Sequence, residues 1–374
     1  MDATTAMMEE LLEAQPRLWD HCLSYIIGMT LQCAVEMEIA DAIQGHGEPL
    51  SLEGLATALD ISLAKAPFLS RLMRMLVHLG YFFFVQEDGE GPHGYSLAPL
   101  SRLLLKDSPF NARSFVTCMS HPNMVDPWRH MTTWFRSDDG GDKPPPSSPF
   151  ALAHSGKKLY DVCSADPAYG ELLAKALAGD SWMFSRALVG KCKDTFQGLG
   201  SLVDVGGSTG TTAKAIAEAF PGIHCTVFDL PHVVAAAEEE GRRSKHPSNL
   251  DFVAGDMLAD NIPPADALLF KWVLCDWPDG LVVQVLKQCK SALMKSKNGG
   301  GGKVMIADHV LGHESCSDRT SMGTSLLFDL IAMAVAEGSL RTEKQWAKLF
   351  SDAGFTNYTI TPVCGLRVLI QVYP

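Results

Sequence analysis

The sequence predicts an α/β protein in two parts: a mostly helical N-terminal domain over residues 1–115 and a doubly wound domain over residues 116–374. Three observations lead there. Apolar residues recur at helical spacing from Glu9 to Gln44, and two further helices and a hairpin follow them. Beyond Ser201, short apolar runs alternate with amphipathic ones, which is how strands covered on both faces by crossover helices appear in sequence. The chain also closes on two strand-like segments separated by a short turn.

In the first part, Leu11, Leu12, Leu18, Leu23, Ile26 and Ile27 belong to a broad apolar helical face. Such a face needs a partner, and a second copy of the chain is the simplest one. Ser51 opens SLEGLATALDI, and the stripe of Phe68, Leu69, Leu72, Met73, Leu76 and Leu79 stops at Gly80, a good C-cap. YFFFVQ and GYSLAP flank the turn GEGPHG and form a hairpin, so the order helix, helix, hairpin is that of a winged helix. Lys65, Arg71, Arg74 and His78 make a thin basic set for a DNA-reading helix. The module is therefore read as a packing and dimerisation domain. SDDGGDKPPPSSPF, from Ser137 to Phe150, is a Pro/Gly/Ser-rich connection.

The second part runs SLVDVGG into TTAKAIAEAF, CTVFDL into PHVVAAAEEEG, LDFVAGDM, ADALLFKWVL into GLVVQVLKQCKSAL, and KVMIADHVL into a helix near Leu326 to Glu337. TNYTITPV and LRVLIQVYP pair as a closing hairpin and add an antiparallel strand to an otherwise parallel sheet.

Composition narrows the class of partner. Of 374 residues, 20% are charged and 47% apolar, with a formal charge of -12 and no basic tract, which disfavours nucleic acid and anionic membrane. No segment has the length of a membrane span, and the acidic N-terminus lacks the features of a signal or transit peptide, so a soluble cytoplasmic protein is expected. Ten cysteines include no CxxC pair and no zinc spacing, so neither disulfides nor a metal are expected.

In LVDVGGSTG the glycines Gly206, Gly207 and Gly210 occupy a strand-to-helix turn, where backbone must approach a ligand closely. Asp229 ends the next strand, where a carboxylate can hold two ribose hydroxyls, and Asp256 ends the third. Either acid alone reads as a cap. With Asp204, three acids at successive strand ends converge on one crevice, which repels phosphate and suits an adenosine bearing a positive centre. S-adenosylmethionine is that cofactor.

The run LVDVGGSTG, FDLPHVV, FVAGDM, KWVL and DW around Cys275, RTEKQW and AGF resembles the plant small-molecule O-methyltransferases of the caffeic acid and isoflavone type along nearly the whole chain. The resemblance implies a homodimer through the N-terminal helices. It implies cofactor contacts at Gly206, Asp229, Leu230, Asp256, Met257 and Lys271, and an acceptor wall including Trp128, Met183, Asp276, Trp277 and Met333.

Two positions depart from that family. Its members read KWILHDW where this chain reads KWVLCDW, so Cys275 replaces the general-base histidine. They also carry a glutamate in GKERTE where this chain has Leu340, whereas an orienting acid is kept as Asp308. A phenol titrates near 10, and a positioned base contributes about 10² to 10⁴ in rate. A neutral aromatic amine needs no base in the transition state, only proximity and in-line orientation. The paired loss thus points to an anthranilate-like nitrogen acceptor, with Cys275 and Asp308 at the reaction end. O-methylation of a phenylpropanoid or flavonoid hydroxyl assisted by Asp308 stays open, as does His309 as a displaced base on the opposite strand face from Asp308. A catalytically silent cofactor-binding homologue is the remaining alternative.

Overall fold

The computed structural model describes residues 3–85, 93–108, 111–137, 146–243, 246–296, 301–316 and 318–374. Most of the expected connection at 137–149, and the middle of the first hairpin's turn, lie outside the described residues. The chain divides into two compact units, Met1–Pro122 and Asn123–Pro374.

In the first unit the long apolar stretch is three helices, Ala3–Leu23, Tyr25–Glu36 and Ile39–His46. The third begins after Glu38, whose φ of 56° forces the chain to turn there. Ser51 caps Leu52–Ala58 by accepting the Gly54 N–H at 3.0 Å, and Ala66–His78 carries the expected stripe inward through Leu69, Met73 and Leu76. Strands β1 (Phe82–Val85) and β2 (Gly94–Leu97) pair antiparallel and complete the winged helix. Helix Arg113–Met119 spans the expected boundary after residue 115 and belongs to this unit, because Arg113 bonds to Asp41 at 2.7 Å and to the Val35 carbonyl at 3.0 Å. Met7, Met8, Leu11, Leu12, Leu18 and Trp19 leave more than half of their surface exposed, so the first helix keeps an apolar face uncovered by its own chain.

The second unit is built on strands β3 (Ser201–Val205), β4 (His224–Asp229), β5 (Leu250–Ala254), β6 (Ala267–Lys271), β7 (Lys303–Leu311), β8 (Arg341–Thr342), β9 (Asn357–Cys364) and β10 (Arg367–Tyr373). The sheet order is β5-β4-β3-β6-β7-β10-β9, with β8 beside the end of β7. From β5 to β7 the pairing is parallel, and β10 runs antiparallel to both β7 and β9. Two apolar layers cover its faces. Val304, Ile306 and Val310 of β7 point into one layer and Met305 and Ala307 into the other, so Asp308 and His309 face opposite sides as expected. The order reverses direction between β3 and β6, and a ligand crevice belongs at the carboxyl ends there.

Candidate active site

After β3 the chain turns at Gly206 with φ 70°, and Gly210, with φ 75°, leads into helix Thr211–Ala219. A Cβ on Gly206 would stand 2.7 Å from Val273 Cγ2, and one on Gly207 would stand 2.8 Å from Asp204 Cγ. Glycine is required at both, so the backbone itself forms the lip of the crevice. Asp204 lies beneath it, 2% exposed, and its Oδ2 has no hydrogen-bond partner among the described residues. Burial pushes this carboxyl up to about 7, against the pull of Lys271.

Asp229 accepts the Ser208 N–H at 2.8 Å and the Leu230 N–H at 2.7 Å. Burial still raises its pKa above the usual carboxylate range, against those two amides. Asp256 follows β5, the neighbour of β4, and accepts the Leu258 N–H at 2.8 Å, while Met257 packs partly buried on the core. A glycine lip that a side chain would fill, with carboxylates at adjacent strand ends, fits the ribose and cationic head of S-adenosylmethionine.

Lys271, expected among the cofactor contacts, has an internal partner. Its Nζ is 2.7 Å from Asp180 Oδ2, which also lies 2.6 Å from Arg367 Nη1. Burial lowers the lysine pKa and Asp180 opposes it, so the ammonium is satisfied within the protein. The next residue, Trp272, has φ 52°, a conformation costing about 1 to 3 kcal/mol outside glycine. That reversal aims Val273 to Asp276 across the sheet edge and leaves the Trp272 ring against Phe328, His309 and the Lys271 ammonium.

Cys275 is buried at 6% exposure, with its thiol donating to Asp276 Oδ1 at 3.7 Å. Burial, then Asp308, then Asp276 push its pKa well above that of a free thiol, so no thiolate is held here. Asp308 is 1% exposed; its Oδ1 accepts the His309 N–H at 2.8 Å, and its Oδ2 is unpartnered among the described residues. Burial raises Asp308 to about 6, and burial together with Asp308 raises Asp276 to about 7. Two acids that titrate near neutrality therefore flank a neutral thiol.

The other end of the site comes from the segment around Leu340. Helix Arg319–Ile331 loosens into a π turn at Ala332–Ala336, a rare geometry that packs against both Asp126–His130 and Leu274–Asp276. The partly buried Met333 and Trp128, 38% exposed, lie on segments that this turn brings together. Met183, on helix Pro167–Lys191, precedes Phe184, whose ring faces the Arg367 guanidinium. Trp277, expected beside the reaction, is partly buried and packs against the sheet core. Leu340 is buried, and its N–H donates to Asp329 Oδ1 at 2.8 Å.

Sequence reasoning missed Asp180, Trp272, Gly338 and Arg341. Arg341 had a visible signal, an arginine at the start of RTEKQW, yet its burial depends on where the chain returns. His309, considered as a displaced base, is 3% exposed and faces Arg367 and Asp180, and burial then Arg367 push its pKa down to about 4.

Comparisons with known proteins identify the family. The O-methyltransferase domain matches residues 128–356, and the O-methyltransferase dimerisation domain matches residues 19–107. The chain is 44% identical over 370 residues to probable O-methyltransferase 3 of Humulus lupulus, covering 98% of this chain and 94% of that one. It is 42% identical to 8-hydroxyquercetin 8-O-methyltransferase of Mentha piperita, covering 98% and 97%. It is 40% identical to trans-resveratrol di-O-methyltransferase of Vitis vinifera, covering 100% and 99%. Human N-acetylserotonin methyltransferase in complex with SAM superposes with a TM-score of 0.76 at 22% identity, covering 96% and 97%, and shares the fold. A glycine lip, paired strand-end acids and relatedness along the full chain lead to one conclusion: the chain belongs to the plant S-adenosylmethionine-dependent O-methyltransferase family.

Proposed function

We propose that this methyltransferase acts on a phenolic hydroxyl of a small plant aromatic, of the phenylpropanoid or flavonoid kind, with Asp308 taking the acceptor's proton across Cys275. The observation that carries this reading is Asp308, buried against the Cys275 thiol, which is the one side chain set to hydrogen-bond its carboxyl among the described residues, and raised by burial to about 6. An ordinary carboxylate near 3.9 is a poor match for a phenol near 10, and a base about two units stronger narrows that gap. The thiol itself stays neutral: its sulfur accepts the phenol proton as its own proton passes to Asp308, so one proton enters, one leaves and no thiolate accumulates. Gly206, Asp229 and Asp256 would hold S-adenosylmethionine, which when bound would supply an electrophilic methyl group on a positively charged sulfur. Asp276, Trp128, Met183 and Met333 orient the acceptor.

A nitrogen acceptor, expected from the missing histidine, finds no support among the relatives named above, which carry O-methyltransferase names. The intact cofactor edge argues against a silent homologue. The match to a dimerisation domain and the uncovered apolar face of the first helix support a homodimer. No helix among the described residues is long and apolar enough to cross a membrane.

A mass-spectrometric screen of paired phenols and anilines tests the reading. Phenols should gain a methyl group and anilines should not, while Asp308→Asn should cut phenol turnover about a hundredfold and remove the rise in kcat/KM through pH 6. Aniline methylation without phenol turnover would establish the nitrogen acceptor instead. Cofactor binding without any turnover would leave the silent scaffold.

A further inference from the structure

One groove is lined by none of the residues assigned to cofactor or acceptor. It has a volume of about 500 Å³ and runs between helix Asp279–Met294 and the connection that carries Asn261 and Ile262 toward β6. On the helix, Gln284, Gln288, Ser291 and Lys295 recur three or four positions apart with Lys287 alongside, so one polar face forms the floor. Gln284 Nε2 donates to the Leu258 carbonyl at 3.2 Å and holds the two walls together.

The fold leaves the rest of this face unused. Lys290, elsewhere on the helix, donates to the Gly354 carbonyl and lies over the Phe355 ring. Lys287 and Lys295 are exposed and have no carboxylate partner among the described residues, and no acid lines the groove. Asp260, beside Asn261, turns its Oδ2 to the Asp256 N–H at 2.8 Å. Gln288 Oε1 is buried and has no hydrogen-bond partner among the described residues. An acceptor shut off from water and unpartnered costs stability, and an incoming N–H donor removes that cost. The last torsion of a glutamine side chain is soft, so the oxygen can turn to meet such a donor.

Shape decides the kind of ligand. Gly280 to Lys295 spans about 22 Å of helix, the length of about seven residues of extended chain. Lys287 and Lys295 stand about 12 Å apart along the axis, which is three or four extended residues. An extended peptide brings N–H groups for Gln288, carbonyls for the Asn261 amide and the Ser291 hydroxyl, and carboxylates at that spacing for the two ammonium groups. A compact oxoanion meets both lysines only by drawing their side chains together, at a cost in rotamer entropy. We propose that this groove docks an extended acidic segment of a partner protein, with two carboxylates three or four residues apart and an apolar side chain against Val283 and Ile262.

The test selects a displayed library of random nine-residue peptides on the full-length enzyme and measures the selected peptides by fluorescence anisotropy. They should be enriched in acids three or four positions apart, and the double variant Lys287→Glu, Lys295→Glu should bind them about tenfold or more weakly. That variant should keep kcat/KM within about twofold, which shows that it is folded. Replacing the two peptide acids by glutamine should give the same loss on unaltered enzyme, and Gln288→Leu should weaken binding about threefold. A selection without acidic pairs, or peptides that bind the double variant as well as wild type, overturns the proposal. So does displacement of the peptides by equimolar inorganic phosphate, which marks an unspecific anion patch. A double variant that sediments as a monomer where wild type is a dimer also overturns it, because the face then belongs to a second copy.

Discussion

Gly338 lies so close to the backbone of Cys275 that a Cβ at position 338 would stand 1.9 Å from the Cys275 carbonyl oxygen and 2.6 Å from Asp276 C. Backbone rather than a flexible side chain occupies that space, so a methyl group there must push the two segments apart. Gly338→Ala should therefore displace Cys275 and Asp276 from the acceptor. The expected result is at least a hundredfold loss in kcat, with a stability loss of about 1 to 3 kcal/mol from overpacking. Urea denaturation alongside steady-state kinetics checks it, and near-normal kcat would show that the 338 turn gives way freely.

Arg341 fixes the same turn from its other side. This fully buried guanidinium donates to the Leu274 carbonyl at 3.0 Å, the Trp277 carbonyl at 2.7 Å and Asp279 Oδ1 at 2.9 Å, and stacks 5.2 Å from the Trp346 ring. It brackets Cys275 without being drawn into the reaction. A lysine has one charged head and no planar fork, so Arg341→Lys cannot hold both carbonyls and the carboxylate together. It should lower kcat about tenfold or more while leaving S-adenosylmethionine affinity close to wild type. Arg341→Ala, which orphans the buried carbonyls, should cost about 3 kcal/mol or more. Equal kcat in wild type and the lysine variant would assign the arginine to stability alone.

The contrast between these two residues and the cofactor edge shows what a sequence carries. Gly206, Asp229 and Asp256 were legible because a strand end followed by a glycine turn fixes where the backbone goes, and an acid at that position has few other uses. The closing hairpin and the winged helix were legible because period-two and helical patterns with turn residues are local properties. Gly338 and Arg341 were not, since each acts on a segment more than 60 positions earlier, and nothing local tells a contact glycine from a turn glycine. The ion pair of Lys271 was hidden for a related reason. Its partner Asp180 lies on a helix about ninety residues earlier, and only the fold brings that carboxylate to both Lys271 and Arg367.

His309 makes the same cluster sensitive to acid. It sits opposite Arg367 in the β7 and β10 register, with Phe328 and Trp272 against its ring, Asp180 nearby and no partner for Nδ1 among the described residues. Its folded pKa is lowered to about 4 from 6.5, chiefly by burial and then by Arg367. A lowered histidine means that the unfolded chain binds the extra proton first, so this group's contribution to stability is intact above pH 6.5 and is lost as the pH falls toward 4. The loss by pH 4.5 is about 2 to 3 kcal/mol. Asp204, Asp276 and Asp308 act with the opposite sign, because their raised pKa values let the folded chain take up protons as the pH falls through 7 and 6. The histidine's part is thus visible only as a difference between proteins. Urea denaturation of wild type and His309→Phe at pH 7 and pH 4.5 isolates it: the variant should gain about 2 to 3 kcal/mol relative to wild type on going to the lower pH, whatever its stability at pH 7. A difference that stays constant between the two pH values would mean that His309 is protonated in the folded protein, and that Asp180 rather than burial governs its charge.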